Sequence, residues 1–151
     1  MNLKYIIFDF GKVLGYTISG KWFLTPKFMS FLSNLNMDMN KVKDVISESK
    51  YLVKDDLPIK TLEEEYNMFI SFYSNILDGL GLNKDMTKEI AFDKVYNNNE
   101  YLLYDDVKDV LNVLKKYKLI MLTNNFPSII DYLKYEEIYD LFDNVYVFSI
   151  C

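Results

Sequence analysis

Two short stretches carry the side chains best suited to chemistry: Asp9-Phe10-Gly11-Lys12 and Thr123-Asn124-Asn125. A carboxylate facing a hydroxyl and free backbone N–H groups can hold a divalent cation and a phosphate together, and it can also be a nucleophile. The chain contains no His, so the usual acid and base of neutral pH is missing. Proton transfer is left to Asp, Glu, Lys, Tyr or water, and His-containing zinc sites are excluded. Each stretch alone also has an ordinary explanation. An Asp after a strand is commonly a cap or loop residue, and Thr before Asn-Asn is common turn chemistry. Only elements that bring the two together make a site of them.

Three runs have strand character: residues 4–9, 118–123 and 144–149. None alternates cleanly between apolar and polar, as expected for strands buried on both faces of a parallel sheet. Residues 105–117 place Val107, Val110, Leu111 and Leu114 on one helical stripe, with acids at the start and Lys115, Lys116 and Lys118 at the end. That charge order suits the helix dipole, and Asp105-Asp106 reads as its cap. Residues 128–142 are also helical. Strand and helix alternating at this spacing predict a right-handed parallel wind, in which ligands bind at the carboxyl ends of the strands.

Residues 22–99 have a different pattern. Thr25-Pro26 opens a helix running to residue 35, and Asn40 is placed to cap a second over 41–52. Thr61 and Glu64 form a capping box before 66–77, which Gly79 and Gly81 stop. A fourth helix, 85–96, ends at Asn97-Asn98-Asn99. Four helices without a strand exceed what a crossover needs. The chain is therefore expected to consist of a core, 1–16 with 100–151, and an inserted helical unit, 17–99. Within that unit Glu63-Glu64-Glu65 reads as a solvated first turn, whereas Phe28, Met29, Phe31, Met68, Phe69 and Phe72 are core at helical spacing. Trp22 and Phe23 begin the insertion, within reach of a substrate, and Lys12 is placed to attract phosphate.

Composition narrows the function classes. The net charge is −5 and Arg is absent, which argues against nucleic-acid binding. Half of the residues are apolar and 17% are aromatic, ample for a packed core. The first apolar run is too short for a signal peptide or a membrane span and contains an acid. The single Cys, Cys151, offers no disulfide framework and fits a reducing compartment. A cytoplasmic protein without membrane or nucleic-acid partners is expected.

IIFDFGKVL resembles the first motif of the haloacid dehalogenase-like (HAD) hydrolases, and LIMLTNN resembles their second. The inserted helices fall where that superfamily places its helical, type C1, cap. The lead-in LYDDVKDVLNVLKKYKLIMLTNN is similar to the family's helix before the second motif. The resemblance spans essentially the whole chain, and its FDFGxVL form is similar to the phosphatase-like branch that includes sugar-phosphate phosphatases. It implies an α/β fold, a partial Rossmann-like parallel sheet with an inserted helical cap. It further implies a Mg²⁺-dependent hydrolase of a small phosphorylated metabolite, a phosphomonoester. By that resemblance Asp9 would attack phosphorus, forming an aspartyl-phosphate, and would ligate Mg²⁺ together with the Gly11 carbonyl. Thr123 would hydrogen-bond a phosphate oxygen, helped by the Asn124 amide, and backbone N–H groups at Phe10 and Gly11 would complete the cradle. The turn from Gly11 to Gly15, with Gly20 beyond, would serve as the cap hinge.

Two departures modify these expectations. Gly11 stands where the family usually has a second Asp, the general acid and base. The family's later Lys and its distal Asp pair have no counterpart before Cys151. A chain truncated in this way is expected to hold Mg²⁺ poorly and turn over negligibly. It would also leave the first strand as a bare apolar edge, to be covered by a partner or a second copy. The alternative is an inactive relative acting as a binding or regulatory fragment. A receiver-type phosphoacceptor is a third reading, which the long helical insertion opposes.

Overall fold

The β-branched and aromatic residues after Lys4 suit a pleated, half-buried surface, and Tyr5–Phe8 forms strand β1. The computed structural model describes residues 4–35, 37–53 and 58–148. After β1 the chain turns tightly: the Phe10 carbonyl accepts from the N–H groups of Val13, Leu14 and Gly15, and the Lys12 N–H donates to the Gly15 carbonyl. Strand β2, Gly15–Thr17, follows at once. A Cβ on Gly15 would lie 2.6 Å from the Phe10 ring and 2.8 Å from the Leu102 carbonyl oxygen, so only glycine lets these chains approach.

Helix α1, Pro26–Asn34, starts as predicted, with the Thr25 hydroxyl accepting from the Phe28 N–H. Helix α2, Met39–Ser49, is capped by Asp38 rather than Asn40. Asp38 has extended backbone and its carboxylate accepts from the Asn40 N–H, so the stronger, charged acceptor sets the start. A 3₁₀ turn, Lys50–Val53, continues it. Helix α3, Leu62–Gly79, carries the predicted capping box of Thr61 and Glu64, and Gly81 follows with φ 72°. Helix α4 is Thr87–Tyr96.

Strand β3, Tyr101–Leu103, then pairs antiparallel with β2, Tyr16 opposite Leu102. This ribbon at the root of the helical insertion was not foreseen, because three residues are too few to show a period. Helix α5 is Val107–Leu114. Asp106 stands at its cap position but makes no side-chain cap bond there, correcting the expectation for Asp105-Asp106. Strand β4, Lys118–Asn124, helix α6, Ser128–Tyr135, a 3₁₀ turn, Tyr139–Leu141, and strand β5, Asn144–Phe148, complete the described chain. The expected end of the third strand, Ser149, and the terminal Cys151 lie outside the described residues.

The three longer strands form a parallel sheet in the order β1-β4-β5, with Phe8 opposite Met121 and Met121 opposite Val145. The parallel α/β architecture is as expected. Its burial is not. Ile6, Phe8, Leu119, Met121, Val145 and Val147 pack with Val107, Leu111, Ile129 and Tyr132 of α5 and α6. The alternate residues Tyr5, Ile7, Leu122, Tyr146 and Phe148 are exposed. Among the described residues, then, helices cover one face of the sheet and leave the other open. A second apolar cluster joins residues of α1 to α4, from Leu24 to Val95, and takes in Phe126 from beyond β4.

Candidate active site

Parallel pairing of β1 and β4 brings Asp9 and Thr123 to the same carboxyl end of the sheet. Asp9 is exposed and Thr123 is buried. The Asp9 Oδ1 accepts the Phe10 N–H at 2.7 Å, so that N–H, expected to cradle phosphate, is spent on orienting the carboxylate. Asn124 is exposed beside Thr123. Asn125, expected as turn chemistry, is a strut. Its Oδ1 accepts from the Phe126 N–H at 2.8 Å and from the Tyr101 hydroxyl at 3.3 Å. Its own N–H donates to the Phe148 carbonyl at 3.1 Å. Three strands are thereby tied together just behind Thr123.

Gly11 has an unexpected neighbour. A Cβ built there would meet the Trp22 ring at 3.1 and 3.2 Å, so an indole lies against the place where the family's second carboxylate would begin. The Trp22 ring also packs on Tyr101, 5.9 Å between centroids. Lys12 follows with φ 61°, a left-handed conformation that is uncommon for a residue with a Cβ. Lys12 and Trp22 line one cavity of about 570 Å³, together with Tyr16, Thr17, Gly20 and Tyr104. Phe23 is not on that wall. It packs among Phe69, Phe72 and Phe126, and its carbonyl accepts the Tyr73 hydroxyl.

Glu65 overturns one sequence expectation: it is fully buried, not part of a solvated turn. Its carboxylate accepts from the Ser128 hydroxyl at 2.6 Å and the Ser128 N–H at 2.8 Å. Lys94, also buried, lies 2.7 Å from Glu100 and 3.6 Å from Glu65, with its ammonium 4.5 Å above the Phe69 ring. Glu100 in turn accepts the Phe23 N–H at 2.9 Å. Burial raises the Glu65 carboxyl above its usual range, and the nearby Lys94 offsets this only in part. Burial would lower Lys94, but Glu100 and then Glu65 outweigh it and hold the ammonium above its ordinary value. A signal was present in the sequence: Glu65 shares a helical stripe with Phe69, Phe72 and Ile76. The network joins α3, α4 and the chain before β3 to the first turn of α6, and so fixes the helical insertion on the sheet.

Asp9 and the Gly11 carbonyl were the expected magnesium ligands. Among the described residues no three Asp, Glu, His or Cys side chains converge into a metal-holding group. Mg²⁺ needs near-ideal octahedral oxygen geometry, and one exposed carboxylate with a carbonyl does not fit it as a resident ion. No described helix is long and apolar enough to cross a membrane.

No family model matches the chain, and no curated protein matches it. Solved structures do. A HAD-hydrolase of Bacillus subtilis, YfnB, bound to magnesium, matches 97% of the chain with TM-score 0.59 and 12% identity. A haloacid dehalogenase-like family hydrolase from Xanthomonas campestris matches 97% with TM-score 0.52 and 10% identity. L-2-haloacid dehalogenase from Xanthobacter autotrophicus, with chloropropionic acid covalently bound, matches 97% with TM-score 0.53 and 14% identity. The chain spans 64%, 63% and 57% of those structures' own lengths. It has the fold of the haloacid dehalogenase-like hydrolases, and identities this low carry the fold alone.

Proposed function

We propose that this chain is a hydrolase of the haloacid dehalogenase type that uses Asp9 as nucleophile toward a small phosphomonoester. One observation carries the proposal. An exposed carboxylate ends β1 beside the Thr123 end of β4, and two residues on, at Gly11, the chain meets Trp22 of the aromatic cavity. An Asp9 oxygen attacks phosphorus, the new O–P bond forms, and the ester P–O bond breaks with its electron pair on the departing oxygen. That oxygen takes a proton from water. A second water then attacks phosphorus of the aspartyl-phosphate, releasing inorganic phosphate and restoring Asp9. Thr123 and the Asn124 amide hydrogen-bond the phosphate oxygens, and Lys12 contributes positive charge.

Gly11 cannot protonate the leaving group. That help is typically worth roughly 10²–10⁴ in rate, so turnover is expected to be slow. The test is phosphate release from p-nitrophenyl phosphate with Mg²⁺, compared with Asp9→Asn. Slow release that disappears in the variant supports the reading; equal release by both proteins overturns it.

The lack of a proton donor at Gly11 leads to a second reading, in which Asp9 displaces halide from carbon and water then hydrolyses the aspartyl ester. Halide leaves as a stable anion and needs no acid. Chloride release from 2-chloropropionate, lost in Asp9→Asn and without any phosphate release, would select this reading over the first.

A further inference from the structure

The ribbon of β2 and β3 holds Tyr16 and Tyr104 side by side, ring centroids 5.1 Å apart and planes 40° apart. The Tyr104 N–H donates to the Leu14 carbonyl at 3.0 Å, fixing that strand end against the turn after Asp9. Across the same cavity stands Trp22, whose ring reaches Gly11. All three aromatic residues remain more than a third exposed, so part of each side chain is open to a ligand. Of the six lining residues, Lys12 alone is charged. It sits three residues from Asp9 and holds its left-handed backbone although it has a Cβ. Such an outlier points from structure toward function.

A cavity of about 570 Å³ with aromatic walls and a single cation suits a flat apolar group joined to an anion. The chemistry at Gly11 makes the same selection independently. Without a proton donor, the leaving oxygen must depart as an anion. A phenol has a pKa of roughly 10, whereas water, the nearest reference for an alkyl alcohol, lies at roughly 15.7. Aryl oxides leave unassisted far more readily than alkoxides.

We propose that the substrates are aryl phosphomonoesters, with the ring held among Tyr16, Tyr104 and Trp22 and the phosphate turned toward Lys12 and Asp9. This rests on the phosphomonoester reading of Asp9. The pocket is specific to the residues of the ribbon and of the turn, so it can be tested without turnover.

Trp22 is the single tryptophan of the chain, and its fluorescence therefore reports on the cavity directly. The full chain is titrated with phenylphosphonate and with methylphosphonate, neither of which has an ester bond to break. Phenylphosphonate is expected to change the emission saturably and bind about tenfold more tightly or better, the worth of one aromatic packing partner. Tyr104→Ser, at a partly exposed site, is expected to remove most of that preference, and Lys12→Ala to weaken both ligands. Equal binding of the two phosphonates, or no binding of either, overturns the proposal even if Asp9-dependent hydrolysis is found. Retained preference without any Asp9-dependent hydrolysis would instead remove the phosphohydrolase reading and leave the aromatic pocket.

Discussion

Asp9 and Gly11 are two positions apart, yet their environments are set by different parts of the chain. The Asp9 carboxylate is oriented locally, by the N–H of its own neighbour Phe10. Gly11 is set by Trp22, eleven positions on, whose ring stands 3.1 Å from where a Cβ would be. Gly11→Ala must push an indole that already packs on Tyr101. A loss of about 1 kcal/mol is expected, or about 2–4 °C in melting temperature for a chain of this size. Adding Trp22→Ala should recover most of it, as a double-mutant cycle of thermal melts would show. Gly11→Ala that is harmless with Trp22 present would remove the contact from the account. The sequence singled out Asp9 and Thr123 because both end apolar runs, and placed Trp22 near a substrate; its contact with Gly11 was not legible, because no local pattern says which residue covers a glycine.

Helix α3 shows the same division within one element. Its capping box is written in four consecutive residues and forms as read. Glu65, one residue further, is decided by partners far along the chain, for its bonds to Ser128 span 63 positions. Lys94→Met should be costly, because Glu65 and Glu100 would face a buried site without their cation. About 3–5 kcal/mol is expected, measured by denaturant unfolding. Lys94 pairs mainly with Glu100 at 2.7 Å, since Glu65 is engaged by Ser128. The pH dependence follows from the direction of the shift. Folding raises the Lys94 pKa above 10.5, so its contribution is full below pH 10.5 and is lost as pH rises through the folded value. Melts of the wild type should therefore fall above that pH by more than melts of Lys94→Met. The Glu65 carboxyl is raised as well; its contribution is full below 4.5 and is lost as pH rises through its folded value, so mild acid does not loosen the network through Glu65. A wild type and variant falling in parallel at high pH would contradict this assignment.

At the scale of the molecule, one face of the sheet is open, although the strands' lack of alternation suggested burial on both. Parallel sheets are normally covered on both faces, but Ile7 is 61% exposed and Tyr146 53% exposed. Among the described residues β1 pairs only with β4, so an apolar edge adjoins an apolar face. Such surfaces associate. The chain is expected to self-associate on sedimentation, and Ile7→Lys, which adds charge at the edge without touching the inner face, should reduce it. A monomer at high concentration, unchanged by Ile7→Lys, would show that the face is tolerated bare. The apolar runs, the helical stripes and the caps of α1 and α3 were legible from sequence, because each depends on residues within one or two turns of chain. Their burial on one face, the β2–β3 ribbon, the buried Lys94 between two acids and the indole over Gly11 depend on contacts between distant segments, which only the folded chain brings together. Asp9 was thus singled out as a candidate by its place in the sequence, and what surrounds it was decided by the tertiary structure.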